Sequence, residues 1–225
     1  MLKKYNSIVV FDFETTGLDA QTCEIIELGL IRYEQDEKNE FQKVAEESFL
    51  VTPKGPFSEK ITEITGITYE DTLSGISQEE AYKILKTNIS DDTLLLAYNI
   101  GFDIFFLESL FNRFGTIPNY KFPNDFIDVL AVYRDLFPFP HRLSNAIETL
   151  KLKNVKNSHR ATDDALATLM VLLKIQKMLK EQGFSLQPFV NVLGYNEKYG
   201  YKILPFIGEV TYISQPFAKQ VILKR

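Results

Sequence analysis

The sequence predicts an α/β fold in which an antiparallel meander of strands continues into parallel strands flanked by helices. Residues 1–51 carry three apolar stretches of strand length. Beyond them, helical and strand patterns alternate along the chain. A strand meander followed by such an alternation is typical of a mixed sheet with helices packed on it.

The first strand is predicted over residues 7–13, because its Ile-Val-Val-Phe run is apolar without alternation, as in a strand covered on both faces. The turn at residues 15–17 ends it. Residues 23–33 and 41–51, joined by the polar segment 34–40, are rich in β-branched and aromatic residues. That composition favours two further antiparallel strands.

The next elements are two helices and a short strand. Ser58 and Gly66 are predicted to bound a short helix, and Ser77, with Glu79 and Glu80 in the following turn, opens a second helix that runs to about residue 89. Residues 93–97 form an apolar strand. The second half of the chain then predicts helices at 102–114 and 143–150, a strand end with a helix over 126–137, and a long amphipathic helix over 161–181.

The pattern weakens after the long helix. We therefore predict a main domain over residues 1–182 and a small C-terminal appendage of unknown role over residues 183–225. Short candidate strands in the appendage lie near residues 201–207, 210–213 and 220–223.

Composition excludes several classes of protein. The lone Cys23 cannot form an internal disulfide, so a disulfide framework is excluded and a reducing cytoplasm is expected. No apolar run approaches the roughly 20 residues of a membrane-spanning helix, and we expect no membrane partner. The formal net charge of −5 argues against a protein that coats duplex DNA irrespective of sequence.

The charge is unevenly distributed. Residues 1–150 hold 13 Lys and Arg against 25 Asp and Glu, whereas residues 151–225 hold 12 against 5. A basic segment beside an acidic site is compatible with a track for a phosphate backbone. A solvated helix and tail that carry lysines for solubility explain the same count equally well.

Carboxylates at the end of an apolar strand give the first chemical indication. Side chains alternate along a strand, so Asp12 and Glu14 lie on one face, while Phe11 and Phe13 point the other way. Carboxylates held together in an apolar setting repel one another and are costly to desolvate, so they call for cations. Hard oxygen ligands suit Mg²⁺ or Mn²⁺.

Three motifs in order make the assignment specific. They are Phe11-Asp12-Phe13-Glu14-Thr15-Thr16-Gly17, then Asn99-Ile100-Gly101-Phe102-Asp103, and finally His159 five residues before Asp164. With them, the chain resembles the histidine branch of the DEDD 3′→5′ exonucleases, which have a ribonuclease-H-like fold and include the proofreading epsilon subunit of bacterial DNA polymerase III and ribonuclease T. The segments 24–29 and 64–68 also look like this family, and the resemblance runs from about residue 7 to 180.

The resemblance implies a role for each residue of the motifs. Asp12 would bridge two metal ions, Glu14 and Asp164 would hold the ion that carries the nucleophilic water, and Asp103 would help to hold the other. His159 would be the general base, since its unperturbed pKa of about 6.5 lies near the operating pH. The residues expected to contact the terminal nucleotide are Thr15, Thr16, Gly17, Leu18, Ile64, Asn99 and Phe102.

Several of these residues also have a plain structural interpretation. Gly17 is an ordinary turn residue, and Phe102 is as well explained by the core as by stacking on a base. A helix would place His159 and Asp164 about 500° apart, so the histidine is expected on the loop before the helix. Asp163 is expected to face away from the site near the helix N-terminus. His141 is interpreted as a loop or capping residue rather than a second base.

One departure from the family is visible, because Tyr98 stands before Asn99 where many relatives carry His. No expected metal ligand is lost. The predicted function is a two-metal 3′→5′ exonuclease that releases nucleoside 5′-monophosphates from single-stranded or frayed 3′ ends of DNA. RNA is a further candidate substrate, and a DNA polymerase is a candidate partner. The alternatives are an RNA-trimming enzyme and a non-catalytic nucleic-acid-binding module derived from a nuclease.

Overall fold

The computed structural model describes residues 4–155, 158–194 and 211–213, with the backbone alone at 194 and 211–213. Its strands, in chain order, are β1 Ser7–Thr15, β2 Ile25–Gln35, β3 Phe41–Thr52, β4 Ile76–Ser77, β5 Thr93–Ala97, β6 Phe126–Asp128, β7 Val192–Gly194 and β8 Thr211–Ile213. Its helices are α1 Glu59–Thr65, α2 Tyr69–Thr72, α3 Gln78–Asn88, α4 Ile100–Phe114, α5 Val129–Leu136, α6 Leu143–Thr149 and α7 Ala161–Glu181.

The first six strands form one mixed sheet in the order β4-β3-β2-β1-β5-β6. Strands β1, β2 and β3 pair antiparallel, whereas β5 pairs parallel with β1 and β6 pairs parallel with β5. The predicted combination of an antiparallel meander with parallel strands is confirmed. The remaining two strands, β7 and β8, pair parallel in a separate small sheet.

Helices cover both faces of the main sheet. Residues of α5, α6 and α7 pack with Ile8 and Val10 of β1 on one face. Residues of α3 and α4 pack with Phe11 and Phe13 on the other. Because side chains alternate along a strand, Asp12 continues the row of Ile8 and Val10 on the α7 face.

The predicted helix boundaries agree with the structure to within about two residues. Helix α4 begins at Ile100, two residues earlier than predicted. Ser58 does occupy the N-cap of α1, but its hydroxyl makes no capping hydrogen bond. Ser77 and Glu80 form a capping box at the start of α3, and Gly66 adopts the left-handed conformation that ends α1. Three elements of four residues or fewer, α2, β4 and β7, are not predicted from the sequence.

The start of the predicted C-terminal appendage packs into the main core. Leu186 and Phe189 are buried with the α7 face, and Leu193 is buried with the α4 face. The Asn191 side chain donates to Asp125 Oδ1 at 2.6 Å and accepts from the N–H of Phe126 at 2.9 Å. These contacts join residues 183–194 to β6, and the boundary after residue 182 stays a prediction.

Strand β8 lies where a strand over residues 210–213 is predicted. The other two predicted strands of the appendage, near 201–207 and 220–223, fall outside the described residues. Among the described residues, no helix has the length and apolar character needed to cross a membrane.

Candidate active site

Three elements of the fold bring four carboxylates to the carboxyl end of β1. Asp12 and Glu14 come from the last residues of that strand. Asp103, which is 2% exposed, comes from the first turn of α4, and its Oδ1 accepts a hydrogen bond of 3.2 Å from the N–H of Phe13. Asp164, also buried, comes from the first turn of α7. The structure therefore gathers the acidic residues of all three motifs.

The structure also brings the histidine to this site. One ligand atom each of Glu14, His159 and Asp164 lies within 4.8 Å of the other two. His159 is exposed and precedes α7, as predicted, in the left-handed region at φ 54°. A non-glycine residue adopts that conformation at a cost, which neighbouring contacts have to offset.

The carboxylates raise one another's pKa. Burial, followed by the charges of Asp103, Glu14 and Asp164, raises the pKa of Asp12 well above its usual value. Burial also raises the pKa of Asp103, opposed by backbone hydrogen bonds that include the one from Phe13. The pKa of Glu14 rises to about 8, because of burial and then the neighbouring charges of Asp164 and Glu27, against the opposing charge of Arg160.

This donor set fits divalent cations. Four carboxylates in one cluster supply oxygen ligands. The raised pKa values of Asp12, Glu14 and Asp103 show that their joint ionisation needs compensating positive charge. Mg²⁺ and Mn²⁺ prefer such hard ligands. Asp12, Glu14, Asp103 and Asp164 are the residues that would hold the ions.

The N-terminus of α7 sits unusually close to β2. A Cβ atom on Gly29 would lie 2.2 Å from the carbonyl carbon of Ala161, so only glycine permits this approach. Gly29 pairs with Asp12 across the sheet, and Glu27 pairs with Glu14. The close contact therefore places the first turn of α7 directly over the acidic end of β1.

The predicted substrate loop at residues 15–18 is a tight turn held by a hydrogen bond within the turn and by two hydrogen bonds to Glu24. The Thr15 hydroxyl donates to the carbonyl of Gly17 at 2.7 Å. The N–H of Thr16 donates to the carbonyl of Glu24, and the N–H of Glu24 donates in return to the hydroxyl of Thr16. Leu18, in contrast, is 88% exposed. Its apolar side chain is thus available to a ligand, and nucleotide contact by this turn stays a prediction.

The other predicted contact residues differ in their surroundings. Ile64 on α1 is half-exposed, and the partly buried Phe102 packs its ring 5.0 Å from that of Phe106. Asn99 is exposed at φ 69° and donates its N–H to Asp128 Oδ1 at 3.0 Å. Their part in substrate binding also stays a prediction.

Two further residues behave as interpreted from the sequence. His141 shares a hydrogen bond of 3.0 Å between its Nε2 and the carbonyl of Phe137, which is a structural role in the loop before α6. Its own carbonyl accepts from the hydroxyl of Tyr98 at 2.7 Å. Tyr98, the departure from the family, therefore tethers this loop. Asp163 accepts from the hydroxyl of Ser158 at 2.6 Å, outside the carboxylate cluster.

Sequence reasoning missed two acidic residues beside the site. Glu27 is 1% exposed on β2, and Asp128 is 3% exposed at the end of β6, where burial raises its pKa to about 6. Asp128 accepts from the backbone at Asn99 and so holds the start of α4, the helix that carries Asp103. In both cases, the feature of the sequence that could have revealed the residue is an acid within or at the end of an apolar strand.

Comparison with known proteins agrees with this geometry. A family model described as an exonuclease matches residues 9–172. DNA polymerase III PolC-type of Thermotoga maritima is 34% identical over 180 residues, which are 80% of this chain and 12% of that protein. The corresponding protein of Bacillus subtilis is 32% identical over 193 residues, with 84% and 13% covered. The chain thus spans about an eighth of the length of these relatives.

Solved structures give the same fold. Exonuclease I of E. coli in complex with a dT13 oligonucleotide superposes with a TM-score of 0.63 at 20% identity, over 79% of this chain and 42% of that one. A zinc-bound form of the same enzyme with single-stranded DNA gives a TM-score of 0.64 over 78% and 41%. The predicted resemblance to the 3′→5′ exonucleases of ribonuclease-H-like fold is confirmed, and the chain belongs to this exonuclease family.

Proposed function

We propose that this chain hydrolyses the terminal phosphodiester bond at the 3′ end of single-stranded or frayed DNA and releases nucleoside 5′-monophosphates. The observation that carries the proposal is the meeting of Glu14, His159 and Asp164 within 4.8 Å at the end of β1. A buried acid cluster beside an exposed imidazole suits metal-assisted hydrolysis of a phosphate ester.

Two divalent ions, Mg²⁺ or Mn²⁺, would neutralise the phosphate and stabilise the developing charge on the attacking and leaving oxygens. Asp12, whose pKa is raised by burial and by the charges of Asp103, Glu14 and Asp164, would serve both ions. Glu14 and Asp164 would hold the ion on the His159 side, and Asp103 the other.

His159 would take the proton of the attacking water. Its exposure allows that proton to pass on to solvent, and imidazole is the side chain most often used as a general base near neutral pH. The exposed Leu18 and the half-exposed Ile64 would contact the terminal nucleotide, and Phe102 would offer a face for stacking.

DNA is proposed as the substrate because the relatives are DNA polymerases by name, and the solved neighbours were crystallised with DNA oligonucleotides. By the same relationship, a DNA polymerase is the candidate partner. A non-catalytic binding module is disfavoured, since all four carboxylates and the histidine are present and gathered. We also propose a cytoplasmic location, because the lone Cys23 cannot form an internal disulfide and suits a reducing compartment.

Matched oligonucleotides would test the substrate. Single-stranded DNA, single-stranded RNA of the same sequence, and a DNA duplex with a mismatched 3′ end are incubated with the protein in Mg²⁺ or Mn²⁺. We expect the single-stranded and frayed DNA to be degraded faster than the RNA. The variant Asp103→Asn serves as the inactive control. Faster degradation of the RNA would replace the proposal with an RNA-trimming enzyme.

A further inference from the structure

Glu27 is a buried acid that the chemistry described above does not use. It lies on β2 directly opposite Glu14, among apolar neighbours of the strand, and is 1% exposed. A carboxylate so deeply buried is costly unless charged or polar partners satisfy both of its oxygens. The partners of Glu27 therefore indicate why it is there.

Both oxygens of Glu27 are bound to the segment that enters α7. Oε1 accepts from Nε of Arg160 at 2.7 Å and lies 2.6 Å from Nη2 of the same guanidinium. Oε2 accepts from the N–H of Ala161 at 2.9 Å. Hydrogen bonds between a guanidinium and a carboxylate are charge-assisted and therefore stronger than those between neutral groups. Glu27 thus fixes two consecutive residues of the chain.

Those two residues follow immediately after His159. On the other side of the histidine, Ser158 donates its hydroxyl to Asp163 at 2.6 Å. His159 therefore lies between two tethered neighbours, in a left-handed conformation that the free chain rarely adopts. The tether to Glu27 is the stronger of the two, since it pairs two charged groups and its carboxylate end is buried.

We propose that Glu27 is a positioning residue for the reaction: through Arg160 and the N–H of Ala161 it holds the turn that presents His159 to Glu14 and Asp164. This inference rests on the proposed function, in which His159 is the general base. Without the tether, the turn relaxes towards commoner backbone conformations and the imidazole leaves its place. Glu27 itself touches neither the substrate nor the ions in this account.

The substitution Glu27→Gln tests the inference in the full chain. It keeps the shape of the side chain but removes the charge that binds Arg160. We expect kcat on single-stranded DNA to fall about 10- to 100-fold, as for other residues that orient a functional group. KM and the Mn²⁺ affinity measured by calorimetry should stay within about threefold, because the ligands are untouched.

A matched control lies just before β2, the strand that carries Glu27. Glu24 accepts from Arg113 at 2.7 Å and from the N–H of Lys54 at 2.7 Å, which is the same pair of donor types without a link to His159. Glu24→Gln should leave kcat within about threefold of the wild type.

A double-variant cycle separates positioning from a general loss of structure. If Glu27 acts through His159, the double variant Glu27→Gln/His159→Ala should be about as slow as His159→Ala alone. Arg160→Gln, which breaks the same tether from its more exposed side, should show the same lack of additivity and provides the test if Glu27→Gln fails to fold. Multiplicative effects, or loss of Mn²⁺ binding in Glu27→Gln, would overturn the inference while the wild type stays active. An inactive wild type would instead overturn the proposed function.

Discussion

Replacing Glu14 by Gln should abolish activity and yet stabilise the metal-free protein. The pKa of Glu14 is raised from 4.5 to about 8 by burial and by the charges of Asp164 and Glu27. Between these two pKa values the native state keeps a proton that the unfolded chain has released. The free energy of unfolding therefore falls as the pH rises from about 4.5 to 8, by at most about 1.4 kcal/mol per pH unit.

The size of the gain follows from the same pKa values. If the whole rise in the pKa of Glu14 took effect, it would lower the free energy of unfolding at pH 7.5 by about 4 kcal/mol. Solvent reaches part of the Glu14 side chain and screens the neighbouring charges, so a gain of about 1–3 kcal/mol is expected from Glu14→Gln. For a chain of this size, that corresponds to about 2–4 °C in Tm for each kcal/mol.

Urea unfolding at pH 5 and pH 8, with EDTA or with Mg²⁺, measures the effect. In EDTA the variant should exceed the wild type at pH 8 and match it more closely at pH 5. Added Mg²⁺ should stabilise the wild type at pH 8 more than the variant, because ions that bind only the native state raise its stability. Glu63→Gln, an exposed acid on α1, is the control and should shift stability by less than about 0.5 kcal/mol. A Glu14→Gln variant that is less stable than the wild type in EDTA at pH 8 would refute the account of mutual repulsion.

Three further outcomes are expected. Asp12→Ala and Asp103→Ala should each abolish turnover in excess Mg²⁺ with the fold retained by circular dichroism, and a near-wild-type rate in either would place the site elsewhere. His159→Ala should lower the rate about 10²–10⁴-fold while calorimetry still detects Mn²⁺ binding; loss of that binding would make His159 a ligand instead. Neutralising the basic residues of the C-terminal segment should flatten the salt dependence of single-strand binding by about 0.7 in log–log slope for each lost phosphate contact, and an unchanged slope would exclude them from the backbone track. These residues, which lie outside the described part of the chain, are Lys198, Lys202, Lys219, Lys224 and Arg225.

The central part of the fold could be predicted because its signals are local. The unbroken apolar run of β1 and the periodic apolar positions of α7 fix these elements without knowledge of their neighbours. Strand β7 could not be predicted, because its burial depends on packing against β6 through Asn191, far away in sequence. Helix α2 is a single turn held by the Thr68 and Asp71 capping box, and such a short element leaves no periodic pattern.

The active site shows the same contrast between residues with a local sequence signal and residues recognised only from contacts in the fold. Asp12, Glu14, Asp103, His159 and Asp164 stand in motifs whose spacing indicates their chemistry. The motifs do not indicate which residues hold these groups in place. That Glu27 faces Glu14 follows from the register of β1 and β2, and that Gly29 is needed follows from the close approach of α7. The strand register is set by pairing, and the approach of α7 joins segments more than 130 residues apart. Only the folded structure reveals these contacts.

The polarity and metal dependence of the reaction test the central claim most directly. A single-stranded DNA oligonucleotide labelled at its 5′ end is incubated with the wild-type protein in Mg²⁺ and, separately, in EDTA, and the products are resolved at single-nucleotide resolution over time. A 3′→5′ exonuclease predicts a ladder of labelled fragments that shortens one nucleotide at a time in Mg²⁺ only. Intact oligonucleotide in Mg²⁺, immediate release of a labelled mononucleotide, or equal degradation in EDTA would contradict it.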